Sequence, residues 1–398
     1  MKIQLVPNEL SAKIKVLGIG GAGGNAVNDM ITSQMVGVDF IAANTDAQSL
    51  ERSQAPVKIQ LGPNVTRGLG AGGDPEVGRN ATMEEGERLK QVLKGADMVF
   101  IAAGMGGGTG TGGAPVVAEL SRELGALTVA VVSKPFEFEG KMKRRLADNG
   151  IEELRRVVDT IITIPNDRLF SLSSKNSRIK DVFGMANEVL GFAVRGISDL
   201  IMVPGFINVD FADVRTVMKE RGMALMGTGI ANGGNRAADA AHKAISSPLL
   251  EDISIRGARG ILINITATPD ISMEELKEIC GIIQEEAHDD AIIKWGLVYD
   301  DSLNEEIRVT VIATGIGKRL EVPADLGAWS QAQQAQPEDL EIPTILRQTS
   351  ESAARTAEGR PAEKRPFGVI GQKKNIVHPD LQYEENELDI PPFLRKAD

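Results

Sequence analysis

Gly104-Met105-Gly106-Gly107-Gly108-Thr109-Gly110-Thr111-Gly112-Gly113 is the stretch that decides the fold of this chain. It follows an apolar run at 98–103 that predicts a buried strand, and it precedes 114–120, which predicts a helix with Pro115 near its first turn. Glycines between a strand and a helix N-terminus let backbone N–H groups approach phosphate oxygens. We therefore expect an anion-binding loop. A flexible linker is disfavoured, because linkers rarely lie between a buried strand and a helix.

A second glycine-rich segment follows the first predicted strand, at 14–20. Gly18, Gly20 and Gly23 match the G-x-G-x-x-G dinucleotide fingerprint, and a helix is predicted from Asn25 onward. Further strands are predicted at 38–43, 57–61, 97–103, 127–132 and 160–164, with a helix over 76–94. This alternation predicts an α/β fold with a doubly wound parallel sheet of order 3-2-1-4-5-6. Strands one and four are neighbours in that order, so the two glycine segments should face each other across one crevice.

The pattern changes after about residue 178. Apolar residues at helical spacing predict a long central helix over 178–203, which Pro204-Gly205 ends. A smaller α+β domain is expected over 204–320, with strands at 260–265, 292–299 and 307–312 and helices near 235–246 and 272–289. The chain is thus divided into a lead at 1–12, a nucleotide-binding domain at 13–177, the helix, the second domain, a disordered linker at 321–387 and a terminal peptide at 388–398.

Composition excludes several classes of function. A net charge of −11 over 398 residues argues against general nucleic-acid binding and against charge-driven membrane binding. No apolar run is long enough to cross a membrane and no signal peptide is evident, so a cytoplasmic protein is expected. Three scattered histidines suggest no zinc site, and Cys280 lies in a helical apolar pattern that predicts a buried thiol.

The glycine fingerprint alone favours an NAD-dependent dehydrogenase, with Asp39 or Asp46 as the ribose-binding acid. Two observations oppose this class: the chain has a second, richer phosphate loop, and its second domain has no compact His/Lys/Asp set. A Walker lysine motif is also absent, since Gly317-Lys318 is followed by Arg319. A third class, a scaffold with a structural nucleotide that is never hydrolysed, stays open at this point.

Several motifs together resemble one family. The segment 106–112 resembles the signature loop of the tubulin/FtsZ family. The matching segments elsewhere are Asn44-Thr45-Asp46, 134–140, 164–167 and 208–215, and 389–395 resembles the C-terminal peptide of bacterial FtsZ members. The likeness covers 13–318 almost continuously and the last eleven residues, while the linker takes no part in it. A Rossmann-like GTP-binding domain at 13–177 is what the resemblance implies.

The resemblance implies GTP and GDP as ligands, with Mg²⁺ carried by the nucleotide and not by a dedicated protein site. The phosphates would contact Gly21, Ala22, Gly23, Gly24, Asn25, Gly108, Thr109 and Gly110, helped by the turn Ala71, Gly72 and Gly73. Glu139 and Asn166 would meet the ribose, and Phe183 and Asn187 would meet the guanine, although core packing is the alternative for Phe183. Lys143 stands where the family often has an arginine, and lysine lacks the planar fork of the guanidinium.

The implied catalytic residues are remote in sequence from the glycine loops. Considered locally, Asp210 is a plausible helix N-cap and Asp213 an acid in the first helical turn. The resemblance implies instead that the segment 204–214, with Asn208, Asp210 and Asp213, enters the nucleotide crevice of the next subunit. Its carboxylates would orient the attacking water, and a head-to-tail contact of this kind propagates as a filament.

The resemblance also implies a place and partners. The protein would polymerise with itself to build the bacterial division ring, at mid-cell beneath the inner membrane and without inserting into it. Its terminal peptide would bind membrane adaptors such as FtsA and ZipA, and other division regulators. The residues expected to make those contacts are Asp389, Ile390, Pro391, Phe393, Leu394 and Arg395. An incidental apolar chain end is the alternative for this peptide.

Overall fold

The computed structural model describes residues 12–172, 178–203, 205–219, 222–247 and 257–316. The lead, the linker and the terminal peptide, with all six residues expected to bind partners, lie outside the described residues. The strands are β1 Ile14–Ile19, β2 Val38–Asn44, β3 Val57–Gln60, β4 Met98–Gly104, β5 Leu127–Lys134, β6 Thr160–Pro165, β7 Gly222–Ala231, β8 Gly260–Ala267, β9 Ile292–Tyr299 and β10 Ile307–Ile316. The helices are α1 Gly20–Thr32, α2 Ala47–Glu51, α3 Pro63–Thr66, α4 Pro75–Glu84, α5 Gly86–Leu93, α6 Thr109–Glu123, α7 Lys141–Val157, α8 Asn166–Leu172, α9 Ile179–Met202, α10 Phe211–Met218, α11 Arg236–Ile245 and α12 Met273–Glu285.

The first six strands form the parallel sheet that the sequence predicts. Their order is β3-β2-β1-β4-β5-β6, and β1 pairs in parallel with both β2 and β4. Gly18 is in register with Ala42 on one side and Ala102 on the other, so the three strands end at one edge. Apolar residues of α1 and α9 pack on one face, and those of α5, α6 and α7 pack on the other. The doubly wound α/β architecture is confirmed.

The sheet continues beyond β6 through a strand that the sequence analysis missed. β7 pairs with β6 in parallel over three residues, from Thr160↔Gly222 to Ile162↔Ala224. The order then runs β7-β10-β8-β9, in which β10 is antiparallel to both of its neighbours and β9 runs parallel to β8. The glycines of β7 hide its strand pattern, yet they are needed because α11 lies close against it. A Cβ on Gly227 would lie 1.9 Å from the carbonyl oxygen of Ala244.

Both glycine segments begin helices earlier than expected. α1 starts at Gly20 and α6 at Thr109, whereas the sequence predicted helices from Asn25 and Ala114. Close backbone crossings explain why glycine stands in these first turns. A Cβ on Gly23 would lie 2.2 Å from the carbonyl oxygen of Ala102, and one on Gly112 would lie 1.8 Å from that of Pro75. Pro115 therefore lies inside α6, and the anion-binding loop shortens to the residues between β4 and Thr109.

The remaining expectations are met with smaller corrections. The long central helix is present as α9, with 24 residues. The helix predicted over 76–94 is divided at Glu85 into α4 and α5, and α8 was not expected. Cys280 packs against the core formed by α11, α12 and β8 but is only half-buried, which is less than the buried thiol that the sequence predicts. Burial still raises the pKa of the Cys280 thiol. The domain boundaries themselves stay a prediction.

Candidate functional site

A cleft of about 280 Å³ lies where β1, β4, β5 and β6 end. Ten of the sixteen residues that the sequence analysis expected to bind GTP line it: Gly21, Ala22, Gly108, Thr109, Gly110, Glu139, Lys143, Asn166, Phe183 and Asn187. They come from the starts of α1 and α6, the segment before α7, the start of α8 and the middle of α9. The topology thus brings together residues up to about 165 positions apart in the chain.

The two helix starts meet at the floor of the cleft. A Cβ on Gly20 would lie 3.1 Å from the backbone nitrogen of Gly110, so no larger residue fits there without a shift. In contrast, Gly21 and Gly107 have nothing within 4 Å of a built Cβ. The glycines therefore fall into two groups: some allow close packing, and others leave open space above backbone N–H groups. The second group has the geometry that phosphate binding requires.

Gly23 belongs to the packing group, because it is buried under β4. Gly24 and Asn25 do not line the cleft but line a second cavity that adjoins it. The turn Ala71-Gly72-Gly73 lies beside the cleft: a Cβ on Gly108 would be 2.8 Å from the Cβ of Ala71. Gly72 and Gly73 both have positive φ and open space around them.

The end of β2 is tied to the same site. The hydroxyls of Thr45 and Thr109 are 2.7 Å apart and share a hydrogen bond. Asp46, the candidate ribose-binding acid of a dehydrogenase, caps α2 and accepts hydrogen bonds from Gln48 N, Ser49 N and Ser49 Oγ. The Ser49 hydroxyl is the main cause that lowers the pKa of the Asp46 carboxyl. Because this carboxylate is already used as a cap, the dehydrogenase assignment loses one of its two candidate acids.

Glu139 and Lys143 form a pair on the wall of the cleft. Lys143 Nζ is 2.9 Å from Glu139 Oε2, and the backbone N–H of Phe136 donates to Glu139 Oε1 at 2.9 Å. Lys143 is half-exposed in the first turn of α7, four residues after Glu139, and the ion pair holds its ammonium group at the cleft edge. The position where the resembled family often has an arginine therefore still places a cation here.

The far end of the cleft has an aromatic side chain and two amides. Phe183 is 40% exposed, and its ring meets the buried ring of Phe136 edge-on, with centroids 5.1 Å apart. Core packing, the alternative for Phe183, does not fit this exposure. Asn187 lies one turn further along α9 and lines the same wall.

Asn166 is the most unusual polar residue of the site. It is only 6% exposed, and its Oδ1 atom has no hydrogen-bond partner among the described residues. A buried amide oxygen without a partner costs stability, so it signals a group that a ligand donor would satisfy. The orphan acceptor and the open glycines together fit a nucleotide whose hydroxyl and phosphate groups supply the missing partners.

Some lining residues were missed by the sequence analysis. Met105 and Gly107 belong to the expected glycine loop but were not named as contacts, Ser133 lies near the end of β5, Pro135 follows β5, and Ala186 lies on α9 between two predicted residues. A usable signal existed for Ser133. It ends the buried run of a strand adjacent to β4, at the edge where parallel strands place their ligands.

The three candidate catalytic residues do not lie in this cleft. Asp210 is the N-cap of α10 and accepts a hydrogen bond from Asp213 N at 2.7 Å, as the local pattern predicts. Asp213 Oδ1 is 2.8 Å from Lys294 Nζ on β9, and Asn208 Oδ1 accepts from Gly205 N at 2.7 Å. The sheet order places β9 six steps from β4, about 29 Å at the usual strand spacing. The acids and the cleft of one chain are therefore separate.

Two features of the described residues bear on other functions. Within the described ranges there is no group of three or more His, Cys, Asp or Glu side chains arranged to hold a metal ion. No helix in that part of the chain is long and apolar enough to cross a membrane.

Comparison with known proteins gives matches over both halves of the chain. Residues 13–174 match the model of the tubulin/FtsZ family GTPase domain, and 222–317 match that of the FtsZ family C-terminal domain. The chain is 50% identical to the cell division protein FtsZ of Pseudomonas aeruginosa over 400 residues, covering 97% of each protein. It is 47% identical to that of Coxiella burnetii, covering 98% of this chain and 97% of the relative.

Solved structures give the same result. An FtsZ dimer from M. jannaschii matches with a TM-score of 0.74 and 44% identity, over 78% of this chain and 90% of that one. CetZ2 from Haloferax volcanii, solved as a protofilament with GTPγS, matches with a TM-score of 0.66 at 20% identity, over 81% of this chain and 98% of that one. At that identity the second likeness concerns the fold alone.

Proposed function

Because this chain belongs to the FtsZ family of tubulin-like cell-division GTPases, we propose that a second copy of the chain completes its GTP-hydrolysing site. The chain is a GTPase with a nucleotide cleft of its own. The active site is shared between two subunits: one subunit binds the triphosphate, and the next supplies the carboxylates of Asp210 and Asp213. Hydrolysis then depends on assembly into a filament.

One observation carries this proposal: the cleft lacks a free carboxylate. Glu139 is the only acidic residue among those that line it, and Phe136 N and Lys143 Nζ already bind its two oxygens. Attack on a phosphoryl group needs a positioned water, and an acid usually holds it. Asp213 pairs with Lys294 through Oδ1 and is half-exposed on a surface remote from its own cleft, so its carboxylate can reach the cleft of a neighbour.

The residues of the cleft have distinct roles in this proposal. The backbone N–H groups of Gly21 and of Gly107 to Gly110 hold the phosphates, and Thr109 adds a hydroxyl beside Thr45. The Asn166 amide oxygen accepts from the ribose, while Phe183 and Asn187 present a ring and an amide to the guanine. Lys143 offers positive charge near the phosphates. Such contacts orient the triphosphate and stabilise its charge, which is most of what phosphoryl transfer requires.

Mg²⁺ would be held mainly by the phosphate oxygens, because none of the described residues forms a cluster of metal ligands. When bound, it would neutralise charge that develops on the phosphates.

Separate measurements of GTP binding and turnover in an Asp213→Ala variant test the proposal. We expect unchanged GTP affinity and turnover lower by about 100-fold or more, which is the usual loss for a positioned acid–base group. Lys294→Gln is the matched control, because it breaks the same 2.8 Å ion pair and keeps the carboxylate. An equal loss of turnover in both variants would show that Asp213 acts only through its ion pair. Undiminished turnover in Asp213→Ala would show that Asp213 has no role in catalysis.

A concentration series tests the dependence on assembly. A shared site predicts a threshold protein concentration and a steeper-than-linear rise in total rate just above it, since each new contact creates an active site. A scaffold with a structural nucleotide would give no GTPase turnover that rises with protein concentration.

We further propose that the filaments act at the division site beneath the inner membrane, linked to it by adaptors of the FtsA and ZipA kind. Residues 388–398 would make that contact. Deleting them should abolish adaptor binding and leave polymerisation and turnover largely intact; a major loss of GTPase activity would contradict this role.

A further inference from the structure

A second cavity, of about 250 Å³, shares Gly20 and Gly21 with the nucleotide cleft. We call it the side cavity. On its other side it is bounded by the end of β2 and by α2. Its polar lining residues are Asn25, Asn28, Asn44, Ser49, Arg52 and Ser53. The shared glycine wall places the side cavity next to the phosphate end of the cleft, opposite the end that Phe183 and Asn187 form.

The acceptor atoms of the side cavity are mostly used inside the protein. Asn28 Oδ1 accepts from Gln54 N at 2.8 Å and from Ser53 Oγ at 3.3 Å. Asn44 Oδ1 accepts from Asp46 N at 3.2 Å. Since these two amide oxygens are engaged, the NH₂ groups of Asn28 and Asn44 are the atoms of those two side chains left for a ligand. The cavity therefore offers donors and few acceptors.

The charge of the side cavity points the same way. Arg52 is the only charged residue among those that line it, and its side chain forms no hydrogen bond or ion pair within the described ranges. The nearby carboxylate of Asp46 accepts hydrogen bonds from α2 and Ser49, and the charge of Arg52 also helps to lower its pKa without a direct ion pair between them. A donor-rich cavity with one guanidinium, in a chain of net charge −11, suits a small oxyanion.

We propose that the side cavity holds inorganic phosphate after it leaves bound GTP, with Arg52 and the amide NH₂ groups as its donors. This inference rests on hydrolysis in the adjacent cleft. There, a water oxygen bonds to the γ-phosphorus and the bond from that phosphorus to the β–γ bridging oxygen breaks, which leaves GDP and phosphate. The two anions repel each other. Gly21 on the shared wall and Gly24 inside the side cavity both leave open space, so phosphate can move past them.

Inorganic phosphate is the probe for this site, titrated into full-length protein loaded with GDP and measured by equilibrium dialysis. We expect wild-type protein to bind phosphate and Arg52→Gln to bind it about tenfold or more weakly, as for loss of a charge-assisted hydrogen bond. Arg52→Lys keeps the charge and should stay within about threefold of wild type. Arg88→Gln is the matched control, because Arg88 pairs with Glu85 on the remote helix α5. GDP affinity should be the same in all four proteins.

Two results would overturn the inference while nucleotide binding stays intact. Wild-type protein with GDP bound would fail to bind phosphate, or Arg52→Gln would bind it as well as wild type. A selective loss of GTP affinity relative to GDP in Arg52→Gln, without weaker phosphate binding, would assign Arg52 to the γ-phosphate of the substrate and also overturn it. Failure to bind GTP or GDP at all would instead count against the proposed function.

Discussion

Asn166 shows how a single buried atom reports a ligand. Its Oδ1 is buried without a partner, at the edge of a cleft whose other residues suit a nucleotide. Asn264 Oδ1 is orphaned in the same way, but it lies in a different cavity between α9 and the β8–β10 sheet. The two residues therefore form a natural pair for comparison.

We expect Asn166→Ala to weaken GDP binding by about tenfold, the value of one hydrogen bond of roughly 1.4 kcal/mol. The stability of the nucleotide-free protein should change little on this account, because the oxygen makes no bond to lose. Asn264→Ala should leave GDP affinity unchanged. Fluorescent-GDP titration and thermal unfolding measure the two effects, and equal affinity in wild type and Asn166→Ala would contradict the assignment of this amide to the ligand.

Asp199 is a partly buried acid that the proposed mechanism does not use. It lies on α9 and faces a small cavity with Arg195 and Arg308. Desolvation raises the pKa of Asp199 to about 6 from 3.8, although both arginines oppose the shift and Asp300 adds to it. A pKa that is raised in the folded state means that folding favours the protonated carboxyl over the carboxylate. Its contribution to stability is therefore full below pH 3.8 and is lost as the pH rises through 6.

The folded-state pKa of Asp199 and its ordinary value differ by about 2.2 pH units. At 1.36 kcal/mol for each unit, ionisation of Asp199 lowers the free energy of unfolding by at most about 3 kcal/mol. Asp199→Asn removes the ionisation, so it should stabilise the protein at pH 7.5 by up to that amount. The stability difference between variant and wild type should shrink towards pH 5. Urea unfolding at both pH values measures it, and a difference that does not change with pH would refute the burial of this charge.

At the scale of elements, the crossing of α4 and α6 depends on glycine. A Cβ on Gly112 would lie 1.8 Å from the carbonyl oxygen of Pro75 and 2.7 Å from the nitrogen of Arg79, both backbone atoms that cannot rotate away. Gly24, in the first turn of α1, has nothing within 4 Å of the same built atom. Gly112 and Gly24 are both in α-helical conformation, so they differ in how closely other atoms pack against them.

Gly112→Ala should destabilise the protein by about 3 kcal/mol or more, because a forced clash with backbone exceeds ordinary overpacking. Gly24→Ala should be neutral or stabilise it by up to about 1 kcal/mol through helix propensity. Chemical denaturation of the nucleotide-free proteins compares them. Similar stabilities for the two variants would show that α4 can shift away from α6.

Strands and helices were predicted correctly where their residues followed one periodic pattern. Prediction failed where close packing required glycines that interrupt that pattern. The apolar runs of β1, β4 and β5 are free of competing signals, and their order followed from topology rules. β7 was missed because Gly227 and Gly229, which allow α11 to approach, also remove the β-branched pattern of a strand. The helix starts at Gly20 and Thr109 were misplaced for the same reason, since glycine signals a loop and close packing alike.

At the scale of the whole molecule, the candidate site could be assembled from sequence only with the help of family motifs. Glycine spacing predicts two phosphate segments on adjacent strands. Nothing in local spacing brings Asn166 or Asn187 to them, because those contacts depend on how α8 and α9 pack against the sheet. The separation of Asp213 from the cleft likewise follows from the order of ten strands, one of which was not expected.

That separation gives a test in which two inactive proteins restore each other. Asp213→Ala keeps an intact cleft but offers no acid, whereas Asn187→Ala keeps the acid but should lose its guanine contact. In an equal mixture, about a quarter of random head-to-tail contacts would join an intact cleft to an intact acid. Turnover should therefore return towards a quarter of wild type. In the control mixture, Asp213→Ala is combined with a double variant that carries both Asn187→Ala and Asp213→Ala. This mixture should show no recovery of turnover. If the mixture only equals the sum of its parts although the variants co-assemble, the acid must act within its own chain, and a shared site would be wrong.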